Sequence, residues 1–248
     1  MSGVEIYFLL AGAAAGGLIN GLAGFGTALF ALGFWLQIMP PQQAVAIALV
    51  LSVASGLQGV WVVRRATRAQ PKRLLRFLLP GIIGIPLGSA MLAVLEPAVL
   101  KIVVALFLLA YGGFFSLRRS LPKFERPTPL ADGLVGFLGG ILGGAASLSG
   151  ALPTMWCALR PWSKAETRGV LQPYNVVILF LACLALAIQG AYSPDTIWKI
   201  LVAFPVTMLA AQIGIMLFRR LSDDLFRRLL IGLMLLSGVI LLARELIQ

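Results

Sequence analysis

The chain has 248 residues, 60% of them hydrophobic and only 12% charged, with a mean hydropathy of +0.97. A soluble domain could not hide so much apolar surface from water, so the chain belongs in a bilayer. Its formal net charge of +11 does not mark a nucleic-acid partner, because the basic residues fall in short clusters between apolar runs, as the positive-inside rule expects of cytoplasmic loops.

The start, MSGVEIYFLL, carries Glu5 where a secretory leader would carry lysine or arginine, so no cleaved signal peptide is expected. The first apolar run, 6 to 38, is glycine-rich and too long for one comfortable crossing, for which about 20 residues suffice. In its middle stands NGLAGFGTAL, Asn20 to Leu29, which predicts the tip of a hairpin of two half-helices. A half-helix starting at mid-membrane aims unpaired N–H groups and the positive end of its dipole at whatever fills the gap, and an oxyanion suits that place. Asn20, Gly21, Gly24, Phe25, Gly26 and Thr27 are the candidate ligands here. The glycines allow a tight turn and close approach, and Asn20 and Thr27 supply a donor or cap. Gly12, Gly16, Gly17 and Gly21 also read as ordinary close packing of transmembrane helices.

Single crossings are predicted at 43–63, 77–95, 98–117, 169–189, 197–218 and 226–247. Between them stand the basic clusters Arg64, Arg65, Arg68, Lys72, Arg73 and Arg76; Arg118, Arg119, Lys123 and Arg126; Arg160, Lys164 and Arg168; and Arg219, Arg220, Arg227 and Arg228. Gln58, with Trp61 near the end of its run, reads equally as helix glue or ligand. A second over-long run, 130–159, contains GGAASLSGALP, which offers Ser147, Ser149 and Gly150 as ligands and Pro153 for the first turn of a returning half-helix. Arg168, Gln172 and Asn175 follow at i, i+4 and i+7, a polar stripe on a helix otherwise lined with Val, Ile and Leu. Such a stripe should face a cavity or a partner, since intramembrane polar groups are expensive. Arg168 is the foremost candidate for holding an anionic charge, its alternative being a positive-inside anchor. Trp156 and Tyr174 read as interface-belt or core residues, Pro80, Pro86, Pro173 and Pro205 as kinks, and Cys157 and Cys183 as small core hydrophobes.

If every run crossed once, the clusters at 160–168 and 219–228 would lie outside the cell. If the two over-long runs each enter and leave on one side, all four clusters become cytoplasmic, and MPPQQ, VLEPAV and QGAYSPD become external. The expected fold is therefore all-α: a polytopic transmembrane bundle of two inverted repeats, each a broken or re-entrant hairpin plus three transmembrane helices, with the N-terminus outside. The repeats are placed at 1–120 and 130–248, joined by a basic cytoplasmic linker at 121–129. Internal matching supports them: Gly16 and Gly17 align with Gly139 and Gly140, Gly21 with Gly144, Pro80 with Pro205, Gly88 with Gly214 and Arg118 with Arg244. Many secondary transporters share this plan, with substrate held near the midplane.

The glycine-rich opening, LQIMPPQQAVAIAL, the basic loop after it and SLSGALPTMWCALRPWSKAETRG together resemble the sulfite exporter TauE/SafE family of bacterial membrane permeases over nearly the whole chain. Where many relatives have Gly-Thr-Ser, this chain reads Ala46-Ile47-Ala48, and its second half reads Gly169-Val170-Leu171-Gln172-Pro173. The resemblance implies a multi-pass protein of the bacterial cytoplasmic membrane that exports or exchanges sulfite or a small organosulfonate such as sulfoacetate. The chain has no histidine, no HExxH, no Walker lysine motif and no pair of acidic residues within one apolar span, so no enzyme activity, metal or cofactor is expected. Glu96, Glu166 and Asp195 sit at loop edges, leaving no carboxylate proton relay. The expected partners are a small anion and the lipid bilayer, with a homodimer allowed and no nucleic acid. The alternative from another class is a non-transporting scaffold whose glycines serve only helix packing.

Overall fold

In lipid the backbone must satisfy its own hydrogen bonds, and the chain does so with helices. The computed structural model describes residues 2–94, 96–117 and 124–220, with Ser222, Leu225, Gly232, Leu235, Val239, Leu242 and Ala243. Among the described residues are α1 (Gly3–Ala23), α2 (Thr27–Trp35), α3 (Pro41–Ala69), α4 (Pro71–Val94), α5 (Pro97–Leu117), α6 (Pro129–Ala146), α7 (Ala151–Ala158), α8 (Lys164–Ile188) and α9 (Pro194–Arg220), and no strand. Six of these, α1, α3, α4, α6, α8 and α9, are long and apolar enough to cross a membrane. Apart from the isolated positions just named, the expected span 226–247 lies outside the described residues, as do Arg118, Arg119, Lys123, Arg227, Arg228 and Arg244.

The helices run further into the basic loops than hydropathy alone predicts. Hydropathy ends α3 near residue 63, whereas the helix continues to Ala69 and α4 starts at Pro71, with only Gln70 between. Arginine and lysine are good helix formers, and a proline is pre-organised for a first helical turn, so the loop shrinks to one residue.

Both over-long runs are helical hairpins. α1 stops at Gly24, and both Gly24 (φ 82°) and Gly26 (φ 98°) are left-handed, a conformation that admits glycine at no steric cost. α2 then folds back along α1, with Thr27 and Ala31 against Gly16 and the indole of Trp35 donating to the Leu9 carbonyl at 3.1 Å. In the second hairpin α6 ends at Ser147 (φ 58°), and α7 returns until the Trp156 indole donates to Asp132 at 2.7 Å and the Phe124 amide donates to the Leu159 carbonyl at 2.8 Å.

The glycines set the packing between the two halves of the chain. Gly17 lies on Thr207 and Gly21 on Ala211, so α1 runs parallel to α9; Gly136 lies on Phe77 and Gly140 on Gly81, so α6 runs parallel to α4. α3 and α8 run antiparallel, with Gly59 at Gln172 and Ala66 at Gly169. Glycines that match in the sequence thus make matching contacts, and α1, α3 and α4 run opposite to their counterparts α6, α8 and α9, a pattern that fits inverted repeats. By these registers each hairpin tip stops about 10 Å short of the far end of the helix it lies on.

The described members of the four basic clusters gather at one end of the bundle. There Thr67 donates to the Gly169 carbonyl at 2.9 Å, Arg73 pairs with Glu166 at 2.9 Å, and Arg76 approaches Asp132 at 3.9 Å. The Arg73–Glu166 pair is partly exposed and adds little to stability. Asp132 and Arg160 are different, because both are buried and bonded at 2.9 Å, and Arg160 also holds Thr128 and the Arg126 carbonyl. Asp132 is a buried carboxylate, which the sequence does not single out. Its cluster clamps the base of the second hairpin. Removing one member strands the other charge, at a cost of roughly 3 to 5 kcal/mol. Asp132→Ala is therefore expected to lower the melting temperature of the purified protein in detergent markedly; a melt indistinguishable from the parent would show that the clamp contributes nothing.

Candidate functional site

The two tips, arriving from opposite ends, meet. Asn175 on α8 joins them: its amide donates to the Gly24 carbonyl at 3.3 Å and its carbonyl accepts from the Ser149 hydroxyl at 2.9 Å. Gly150 fits directly against Phe25 and Asn175, with no room for a Cβ. A buried cavity of about 10 Å³ lies between the tips, room for roughly one water. Of the twelve candidate ligands, nine line it: Asn20, Gly24, Phe25, Gly26, Ser147, Ser149, Gly150, Gln172 and Asn175.

The other three stand behind the lining. Gly21 is a packing residue, its Cα against Ala211 and its carbonyl accepting from Arg168 at 3.0 Å. Thr27 is buried in the first turn of α2 with its methyl toward Gly16. Arg168 is 6% exposed, stacks 4.0 Å over the Phe218 ring, and makes a long 3.4 Å bond from Nε to the Gln172 carbonyl. Its guanidinium therefore sits at the carbonyl end of α1, where a positive charge offsets the negative end of the helix dipole. No carboxylate pairs with it among the described residues.

The hydrogen bonds divide the lining into spent and unspent donors. The Asn20 amide donates to the Ser52 carbonyl and to the Ser55 hydroxyl, and the Gln172 amide to the Gly56 carbonyl at 3.2 Å. These carboxamides fasten helices to one another. By contrast the hydroxyls of Ser52 and Ser147 line the cavity, and that of Thr27 lies just behind it; all three are buried with no partner, as is Nη1 of Arg168. Buried polar groups are rarely left unpaired, so unsatisfied donors converging on one spot call for an acceptor.

Sequence reasoning missed Ser52 and Gly56. Their signal was present as SVASGLQG on α3, where Ser52, Ser55, Gly56 and Gly59 fall at i, i+3, i+4 and i+7 and form one small, polar face toward α1 and α8. Gln58 points elsewhere: it accepts from Gln212 at 2.8 Å and donates to the Met208 sulfur at 3.2 Å, bridging α3 to α9 beside a wider cavity of about 410 Å³. Tyr174 is fully buried and donates to the Gly136 carbonyl at 2.7 Å, tying α8 to α6. Trp156 belongs to the Asp132 clamp and not to the cavity.

Residues 8–241 fit the family model described as sulfite exporter TauE/SafE. No curated protein and no solved structure matches the chain.

Proposed function

The chain belongs to the sulfite exporter TauE/SafE family, and from that premise we propose that it is a secondary carrier of a small sulfur-containing anion in the bacterial cytoplasmic membrane. The candidate substrates are sulfite and an organosulfonate such as sulfoacetate. The observation that carries this reading is the meeting of two half-helix tips, with unpaired buried hydroxyls, at one polar cavity inside an apolar bundle. Helices α2 and α7 start there, and the first-turn amides of α2 have no preceding helical carbonyl to bond, while in α7 Ala151 donates to the Leu148 carbonyl at 3.3 Å and leaves the Leu152 amide. These starts stand beside the carbonyl ends of α1 and α6, so the unpaired hydroxyls and amides of the lining, with the Arg168 cation at the end of α1, are what support an anion as the occupant.

The cavity is too small for a sulfonate, so loading requires the tips to part. Each hairpin packs on a helix of the other half, α1 on α9 and α6 on α4, and a relative tilt of the halves would open the cavity toward one end while closing it toward the other. In the opposite direction the same motion releases the anion on the far side. Contacts that such a tilt must break stand at both ends: Thr67 with Gly169 at the basic end, and Gln43 with Asp195 and Thr196 at the other. The anion favours whichever state its differential contacts favour, and no nucleotide or bound metal takes part. In this reading the partners are the anion and the surrounding lipid, the halves 1–120 and 130–248 are the moving units, and the chain has no part in nucleic-acid binding.

The test is counterflow in proteoliposomes. Vesicles preloaded with unlabelled sulfite or sulfoacetate are expected to accumulate the labelled anion, and protein-free vesicles are not. Absence of counterflow with any sulfur oxyanion would remove the carrier reading in favour of a scaffold.

A further inference from the structure

The cavity between the tips contains no charged side chain. Its polar lining consists of hydroxyls, carboxamides and backbone, and the carboxamide donors are already committed to neighbouring helices. What remains for a ligand is neutral: the Ser52 and Ser147 hydroxyls, each 5% exposed and unpartnered, the amides that open α2, and on α7 the Leu152 amide, since Ala151 donates to the Leu148 carbonyl and Pro153 has no N–H. One charge stands close behind. Arg168 reaches the cavity through Gln172 and has no carboxylate partner among the described residues. Arg219, on α9, lies beyond it and is exposed, so solvent screens it. From the faces of α1, α2, α3, α6 and α7 that meet the cavity, no titratable side chain contributes.

Among the described residues the charge count is thus one buried cation beside a neutral, desolvated pocket. A monoanion entering it makes the buried charges sum to zero. A dianion leaves one negative charge uncompensated, and its own desolvation cost rises as the square of its charge. We infer that the site takes its substrate as a monoanion, hydrogensulfite or a singly charged sulfonate, and discriminates against the sulfite dianion. The inference rests on the carrier reading and sharpens it. It ranks a simple alkanesulfonate above sulfoacetate, whose carboxylate adds a second charge that nothing in the cavity answers. Since hydrogensulfite carries a proton with it, sulfite flux also moves acid equivalents, without a carboxylate relay in the protein.

The experiment compares initial uptake of labelled sulfite and labelled methanesulfonate by proteoliposomes of the full chain as external pH is raised, with protein-free vesicles subtracted. At fixed total concentration and below saturation, sulfite uptake is expected to follow the hydrogensulfite fraction, falling about tenfold per pH unit above the hydrogensulfite pKa. Methanesulfonate uptake is expected to stay level. Sulfite uptake that holds steady or grows as the dianion replaces hydrogensulfite would overturn the inference while leaving the carrier reading intact. A parallel fall for methanesulfonate would assign the pH effect to the protein and would overturn it too. No uptake of either anion at any pH would remove the carrier reading and the inference with it. Ser52→Ala and Ser147→Ala, both mild changes, are each expected to raise the half-saturation concentration for methanesulfonate severalfold; unchanged values in both would show that the hydroxyls are not ligands.

Discussion

Arg168→Met is expected to lower anion uptake about thirtyfold or more while the protein still reaches the membrane and purifies as a folded species. The guanidinium is buried, hydrogen-bonded to the Gly21 carbonyl at 3.0 Å and stacked on Phe218. Methionine fills much of that volume, and removing a buried cation that has no carboxylate partner among the described residues relieves a desolvation cost, so folding should be little harmed. The substrate is affected differently. Without the cation the anion is left as a lone buried charge, and losing such a partner costs roughly 2 to 5 kcal/mol, thirtyfold to several thousandfold in affinity. Arg168→Lys keeps the charge but cannot hold the carbonyl and Gln172 together, so an intermediate loss of about tenfold is expected. Full uptake by Arg168→Met, measured by counterflow at matched protein density, would show that the charge has no role in transport.

The second large effect falls on folding. Gly140→Val should abolish recovery of folded protein. A Cβ at position 140 would overlap the Gly81 carbonyl, a backbone atom that cannot swing aside as a side-chain end can. Forcing α4 and α6 apart also loosens the contacts of Gly136 on Phe77 and Gly144 on Ile85. Overpacking a tight core costs about 1 to 3 kcal/mol and more where backbone must move. Gly33→Val is the control, since nothing lies within 4 Å of a Cβ there. Size-exclusion profiles of the two variants in detergent should diverge; a Gly140→Val protein that elutes and melts like the parent would contradict the packing described for α4 and α6.

Much of this architecture was legible because lipid leaves the chain few options. The interruption at Asn20 to Leu29 and its counterpart at 145–153 could be read as hairpin tips, since glycines and hydroxyls in mid-run are costly unless the backbone turns there. Arginine clusters supplied the side of each loop. Separating packing glycines from tip glycines was not legible, because close helix approach and close ligand approach demand the same small residue. Gly21 packs on Ala211 while Gly24, three residues on, turns the chain. Ser52 was hidden for a related reason. In a soluble helix the polar face marks water, whereas here both the lipid face and the core are apolar, so a serine in α3 carries no label for its direction. Asp132 stands near the start of the run 130–159 and carries no signal of a partner in the sequence; only the fold brings Arg160 and Trp156 onto it.

Cysteine accessibility in right-side-out and inverted membrane vesicles tests the re-entrant hairpins most directly. With Cys157 and Cys183 replaced by alanine, single cysteines are placed at Ser2, Gln42, Thr128 and Pro161, and a membrane-impermeant maleimide is added to either face. Positions 2 and 42 should react from one face and positions 128 and 161 from the other, because each hairpin returns to the side on which it enters. Reaction of 2 and 42 from opposite faces, or of 128 and 161 from opposite faces, would mean that the glycine-rich segments cross the bilayer and that no pair of half-helix tips meets inside it.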